Sequence, residues 1–367
     1  MFGMIKSFKF LSAKTRTEKT ARRGGVLRPC AVLATVLAML PAAFFFTARA
    51  EAEENNPAVL ARAFLDTLDE EMRGSALFPN ISDPLRENWS NLPANLVDVE
   101  RNGVRRGDLS DAQRRALKSF LQSSLSADGV RTIYGVVGAE AVLEETRRAE
   151  RMGWADENYW IAFFGEPSED GAWGWQFGGH HLAVNVGIIR GKYSLSPTFI
   201  GVEPSEYKEN GKLVRPLQDK LEAGVKLINA LSAAQQEEAK TDSRPREVYA
   251  GAGKDGVIPP EEGILASGLS AAQRGKLLAL ISRWIGALPE APKKSRLAEI
   301  VAELDGIRFA WNGDKNGKDK IYFRVQGPSL IIEFSTEGKV GADGGHFHSV
   351  YRNPKNEYGL GERGLDS

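Results

Sequence analysis

The sequence predicts an α+β fold in which central and C-terminal strand segments form an antiparallel sheet with helices packed around it. Three observations carry that expectation. Apolar residues recur at three and four in several stretches after residue 57, the period of a helix. From 159 to 196, and again from 307 to 352, the period shortens to two, and aromatic and β-branched residues dominate. The turns between these strand runs are too short for parallel crossovers, and the helices are grouped apart from the strands instead of alternating with them.

The first fifty residues read as an export signal. A basic lead from Lys6 to Arg28 precedes the apolar run Cys30 to Phe46, which ends in Ala48-Arg49-Ala50 before the acidic Glu51-Ala52-Glu53-Glu54. Cleavage after Ala50 is expected to leave 51–367 as a single globular domain in the periplasm or outside the cell. Pro41 interrupts the apolar run, which is shorter than the ~20 residues of a membrane span, so no stable membrane anchor is expected after cleavage. Arg22-Arg23 keeps a twin-arginine route open, although Gly24-Gly25 depart from that pattern. Cleavage also removes Cys30, the sole cysteine, and with it any disulfide or thiolate ligand. The chain balances 48 basic against 48 acidic residues; without the basic signal it is mildly acidic, which argues against a nucleic-acid partner.

A helix is expected from Pro57, on the spacing of Val59, Leu60, Ala63, Phe64 and Leu68, with Gly74 ending it. Residues 80–104, with Pro84 and Pro93, read as an irregular connection holding Trp89 and Leu96 inward. The signature L-S-x-A-Q occurs at 109–113, 231–235 and 269–273. Each serine is placed to cap a helix and each glutamine to reach back, with leucine as the hydrophobic staple. The match is short, and it reads as convergent capping, not as a repeat. Helices are also expected over 139–151, 217–231 and 295–304.

Strand character begins at Tyr159 to Phe164. Trp173, Trp175 and Phe177 then alternate with small or polar residues, and Gly178-Gly179 is placed as a hairpin turn or a bulge. Alternation resumes with Leu182, Val184, Val186 and Ile188 on one face and His181, Ala183, Asn185 and Gly187 on the other. Residues 240–268 read as a surface loop over or beside the sheet. Strands return at 307–311, 320–326, 329–335 and 346–352.

The chain has four histidines, in two tight pairs: His180-His181 and His346-Phe347-His348. The simplest reason for this distribution is that the fold brings both pairs to one site. On a strand His346 and His348 face the same side, close enough to meet one ion. Strand parity selects His181 as the third nitrogen, with His180 as a fourth ligand or a donor behind the ligands. Such ligation suits a divalent transition metal, and zinc, copper and non-haem iron all fit. Glu333 and then Glu203 are the candidate carboxylates, as oxygen ligands or as a general base acting on a metal-bound water. Arg352 and Arg324 are candidates for holding an anionic substrate group. This is the chemistry of a metal-dependent hydrolase or oxidoreductase acting on a small-molecule ligand. Two alternatives stay open: a non-catalytic glycan- or peptide-binding module using Trp154, Trp160, Trp173 and Trp175, and histidine pairs that only lock two strand segments together.

W-G-W-Q-F-G-G-H-H-L-A-V-N-V (173–186), S-P-T-F-I-G-V-E-P (196–204), G-P-S-L-I-I-E-F (327–334) and H-F-H-S-V-Y-R-N-P-K-N-E-Y-G (346–359) resemble a family of exported bacterial proteins, DUF3500. The resemblance covers most of the chain after the signal. It implies one globular module and no assigned activity. Where the closing motif often has aspartate before tyrosine-glycine, this chain has Glu357.

Overall fold

The computed structural model describes residues 55–96, 100–243, 248–338, 340 and 345–365, all within the unit Glu51–Ser367. The expected signal and its cleavage point lie outside the described residues. Nine α-helices and a 12-stranded, mostly antiparallel sheet are present among the described residues, and the sheet includes both the central and the C-terminal strand segments. The strands in chain order are β1 (Leu77–Phe78), β2 (Val104–Arg105), β3 (Tyr159–Phe164), β4 (Ala172–Gly179), β5 (Leu182–Ile189), β6 (Lys192–Ser194) and β7 (Thr198–Val202). They continue as β8 (Tyr207–Glu209), β9 (Lys212–Val214), β10 (Ile264–Leu265), β11 (Arg308–Gly313), β12 (Ile321–Gly327), β13 (Leu330–Thr336) and β14 (Phe347–Arg352). The sheet runs β1-β3-β4-β5-β7-β14-β13-β12-β11-β10, with β2 on β3 and β6 on β5, while β8 and β9 form a separate hairpin.

That order is a duplication. Phe163↔Trp175 and Gly179↔Leu182 in β3–β5 correspond to Trp311↔Phe323 and Gly327↔Leu330 in β11–β13, and every printed pair between 160 and 187 follows at one constant shift in numbering. Leu77 pairs in parallel with Phe163 as Lys240 does with Trp311, and Val104 pairs with Ile161 as Ile264 does with Phe309. The halves meet where β7 pairs antiparallel with β14. Thr198 pairs with Val184 as Tyr351 pairs with Ile332, and Thr198 and Tyr351 pair with each other, which puts a local two-fold axis at that pair.

The capping boxes follow the same symmetry. Ser110 opens the helix Asp111–Ser124 and Ser270 opens Ala271–Ile285, each after a two-residue strand and one 3-10 turn. Gln113 donates to Thr67 O at 2.9 Å and Gln273 to Ala230 O at 2.9 Å, in both cases just past the end of a preceding helix. Ser232 caps the short helix Ala233–Glu238 where the first half uses Asp69 before Glu70–Ala76. The first and third boxes are thus equivalent positions of a duplicated unit, not convergence. The helix Glu70–Ala76 runs through Gly74, and Leu96 is exposed rather than packed inward.

One face of the sheet packs on helices: Phe163, Trp175, Val184 and Phe334 join Leu117, Phe120 and Ile281 in the main core. The opposite face carries Ala183, Phe199, Ile331 and Val350 and is closed by Trp89, Val248, Ala250 and Tyr358, from the connection after 80, the 248–263 segment and the C-terminal segment. Covering on both sides explains why every residue of β5 is buried although its sequence alternates. Among the described residues no helix is long and apolar enough to cross a membrane.

Candidate metal centre

β4 ends at Gly179 and β5 begins at Leu182, so the hairpin turn is His180-His181 itself, not Gly178-Gly179. His181 has φ 60°, in the left-handed region, where histidine is rarer than glycine or asparagine and where strain of order 1 kcal/mol or more is expected. The surroundings hold it there. Its backbone N–H donates to Asn91 O at 2.9 Å, its carbonyl accepts from Gly201 N at 2.6 Å, and Tyr159 donates to His180 O at 3.1 Å. Arg101 in turn fixes the Asn91 loop by donating to Ser90 O and Leu92 O at 2.7 and 2.6 Å.

The register of β14 supplies the other donors. His348 pairs with Gly201 on one side and Ser335 on the other. Two residues on, the same ladders carry Glu203 and Glu337 toward His346: its Nδ1 lies 3.4 Å from Glu337 and 3.9 Å from Glu203, and Glu337 N donates to His346 O at 2.8 Å. His348 Nδ1 lies 3.8 Å from the same Glu337. Gly201 makes room for two rings, because a Cβ there would come within 2.9 Å of Cδ2 of both His181 and His348.

Ligand atoms of His181, His346 and His348 all lie within 4.8 Å of one another, and those of Glu140, His180 and His181 form a second such group. His181 Nε2 and His346 Nε2 face each other at 2.8 Å. Two imidazole nitrogens at that separation share a proton. An ion ~2.0–2.1 Å from each at a tetrahedral angle needs about 3.3 Å between them, so the rings would spread by about half an ångström on taking one. His180 stacks on His181 with ring centroids 3.7 Å apart, and Trp154 lies nearly parallel to His180 at 6.0 Å. Residue types and distances therefore suit a nitrogen-rich transition-metal site that is buried at His181 and His348 and reaches solvent at His346.

Burial sets the protonation. It holds His181 well below the ordinary imidazole range and brings His180 down to about 3, so both are neutral and keep a lone pair for a metal. Glu140, on the helix Ala127–Glu144, is pushed up to about 8 by desolvation and then by Glu203 and Glu144. Its contact with His180 Nδ1 at 2.8 Å has the distance of an ion pair. With both shifts toward the uncharged form, it is at neutral pH a carboxylic acid donating to a neutral ring. Glu337, half-buried, is held below the usual carboxylate range by its hydrogen bond from His346.

The sequence profile of the family described as Protein of unknown function (DUF3500) matches residues 51–360. The chain belongs to the DUF3500 family. Comparisons with curated proteins and with solved structures give no match.

In this DUF3500 protein the remaining candidates have other engagements. Glu333 is fully buried and accepts from Tyr249 N, Ala250 N and Tyr322 Oη at 3.1, 2.8 and 2.6 Å, tying the 248–263 segment to β13. Arg352 donates to Ala250 O, Gly251 O, Asp255 and Glu357, the last at 2.6 Å, and Arg324 to Tyr322, Pro260 O and Glu262. These groups anchor the covering loops. Trp173 and Trp175 are fully buried beside Phe120 and Trp154 is 7% exposed, whereas Trp160 is half-buried with the Arg101 guanidinium 5.3 Å from its ring centroid. Neither Glu140 nor Glu337 stands out in the sequence. Glu337 was within reach once β13 and β14 are paired, because the ladder that sets Ser335 opposite His348 sets Glu337 opposite His346.

Proposed function

We propose that this DUF3500 protein is exported and binds a divalent transition metal through His181, His346 and His348, as a metal-dependent hydrolase or oxidoreductase. One observation carries the reading: three imidazoles from two segments distant in sequence bring ligand nitrogens within 4.8 Å of one another. Three protein ligands with a solvent-facing side are the pattern of catalytic zinc, and a metal in such a site lowers the pKa of bound water toward neutrality. The residues then have separate tasks. Glu337 accepts from His346 Nδ1 and turns its Nε2 toward His181, as carboxylates behind metal-bound histidines do. Glu203, 3.9 Å from the same nitrogen, is the second carboxylate available to take a proton from a reacting water. Glu140 and His180 back His181 from the buried side.

The test is metal analysis of protein purified without an affinity tag, beside a His346→Ala/His348→Ala variant. Near-stoichiometric zinc, copper or iron in the wild type and its loss from a folded variant are expected. Metal-free wild type after reconstitution with each ion overturns the reading. Amino-terminal sequencing of the secreted form is expected to begin at Glu51.

A further inference from the structure

We propose a second site, on the opposite face of the sheet from His181 and His348: a cavity of about 700 Å³ at the local two-fold axis that binds a hydrophobic monocarboxylate through Lys220. Its floor is the axis itself, Thr198 and Tyr351 flanked by Val184 and Ile200. One wall is the helix Ala127–Glu144, through Ile133 and Val137, and the other comes from the second half, through Lys220 and Trp284. The volume is within the ~300–1,000 Å³ of small-ligand sites, which favour such junctions between structural units.

Lys220 supplies the polar anchor. It is 4% exposed and sits in the first turn of Gln218–Ile228, where the positive end of the helix dipole disfavours a cation. Its ammonium is 3.7 Å from Asp219 and 5.6 Å from the centroid of Trp284. A charge-assisted hydrogen bond is about 2.8 Å long, so the half-exposed Asp219 compensates the buried charge only partly. Burial lowers the lysine's pKa, the sign of a desolvated cation. A single carboxylate entering the cavity completes the ammonium's shell. Other charged residues line the cavity as well, but the side chains of Arg131, Arg215 and Arg283 are about half-exposed or more, which leaves Lys220 as the buried cation beside the apolar floor. The apolar floor and helix wall take the hydrocarbon body.

The sheet separates this cavity from His181 and His348, because Val184 and Ile200 point to the helical side while His348 packs on Phe199 of the other face and His181 shares the space over Gly201 with it; the helix Ala127–Glu144 reaches the cluster only at its end, through Glu140 and His180. Ligand binding should therefore survive removal of metal. The experiment is calorimetric titration of chelator-treated protein with dodecanoate and, separately, dodecanol. Saturable binding of one dodecanoate per chain is expected, with dodecanol at least ten-fold weaker. Lys220→Met, which replaces a buried cation with an apolar chain of similar length, should weaken dodecanoate at least ten-fold and leave dodecanol unchanged. No saturable binding overturns the proposal. So does dodecanol binding as tightly as dodecanoate, or a Lys220→Met variant that binds dodecanoate like the wild type.

Discussion

Two hairpins occupy equivalent places in the duplicated sheet and share their ladders pair for pair: β4–β5, turning at His180-His181, and β12–β13, turning at Pro328-Ser329. Ser329 does not have the left-handed backbone of His181. The first half sets Glu140 against His180 deep in the protein, and the second sets Ser329 against Glu303 at 2.5 Å, near the surface. Glu303 stays below the usual carboxylate range: desolvation is outweighed by hydrogen bonds from Lys355 and Ser329. The sheet can thus be closed at this turn without imidazoles. Where histidines are kept in a strained turn beside a buried acid, the requirement comes from something other than the hairpin.

The hairpins also differ in their buried polar pairs. Gln176 donates to Asn185 at 2.8 Å in one, while Arg324 and Glu333 are joined through Tyr322 at the same positions of the other. The largest expected effect tests that contrast. Glu333→Ala leaves two backbone donors and a tyrosine hydroxyl unsatisfied and should cost about 3–5 kcal/mol in denaturant unfolding. The equivalent Asn185→Ala should cost about 1–3 kcal/mol. Metal content should stay unchanged in the Glu333 variant; its loss would return Glu333 to the ligand set.

A smaller effect is read in pH. Glu140 has a folded pKa of about 8, above its unfolded value, so the stability it contributes is present in acid and lost as pH rises toward 8. Metal-free protein should therefore lose up to about 2 kcal/mol between pH 6.5 and 8, and Glu140→Gln should flatten that limb. His180, brought down to about 3, acts in the opposite sense: its contribution is full above 6.5 and falls away as pH drops toward 3. The acid limb should persist in Glu140→Gln; an unchanged alkaline limb would mean that the acid is ionised at neutral pH. The smallest effect on stability is expected of His181→Gly. Relief of the left-handed backbone offsets the lost ring contacts, leaving stability within about 1 kcal/mol of wild type by thermal unfolding, while metal occupancy falls at least ten-fold. A large loss of stability with metal retained would make the turn a structural lock.

The strands were legible because period-two alternation and Gly or Pro turns are local signals. β3 was bounded correctly from Tyr159-Trp160-Ile161-Ala162-Phe163-Phe164 alone, and β11 to β14 within a residue or two. The turn was misplaced because Gly178-Gly179 is the conventional turn dipeptide, whereas the ladder carries both glycines inside β4 and passes the corner to the histidines. The duplication was hidden for a related reason: register is set by long-range pairing, and only the capping boxes left a trace in the residues.

Composition and spacing determined an α+β chain, its histidine pairs and the parity that puts His346 and His348 on one side of a strand, all properties of neighbours within a few residues. Tertiary structure alone decided that β7 joins β14, which brings Gly201 between two imidazoles and Glu203 and Glu337 to either side of His346. It also chose Glu140, from a helix whose sequence does not mark it, as the partner of His180. Pairing between strands some 150 residues apart follows from the burial of whole faces, a collective quantity that no short stretch of sequence encodes.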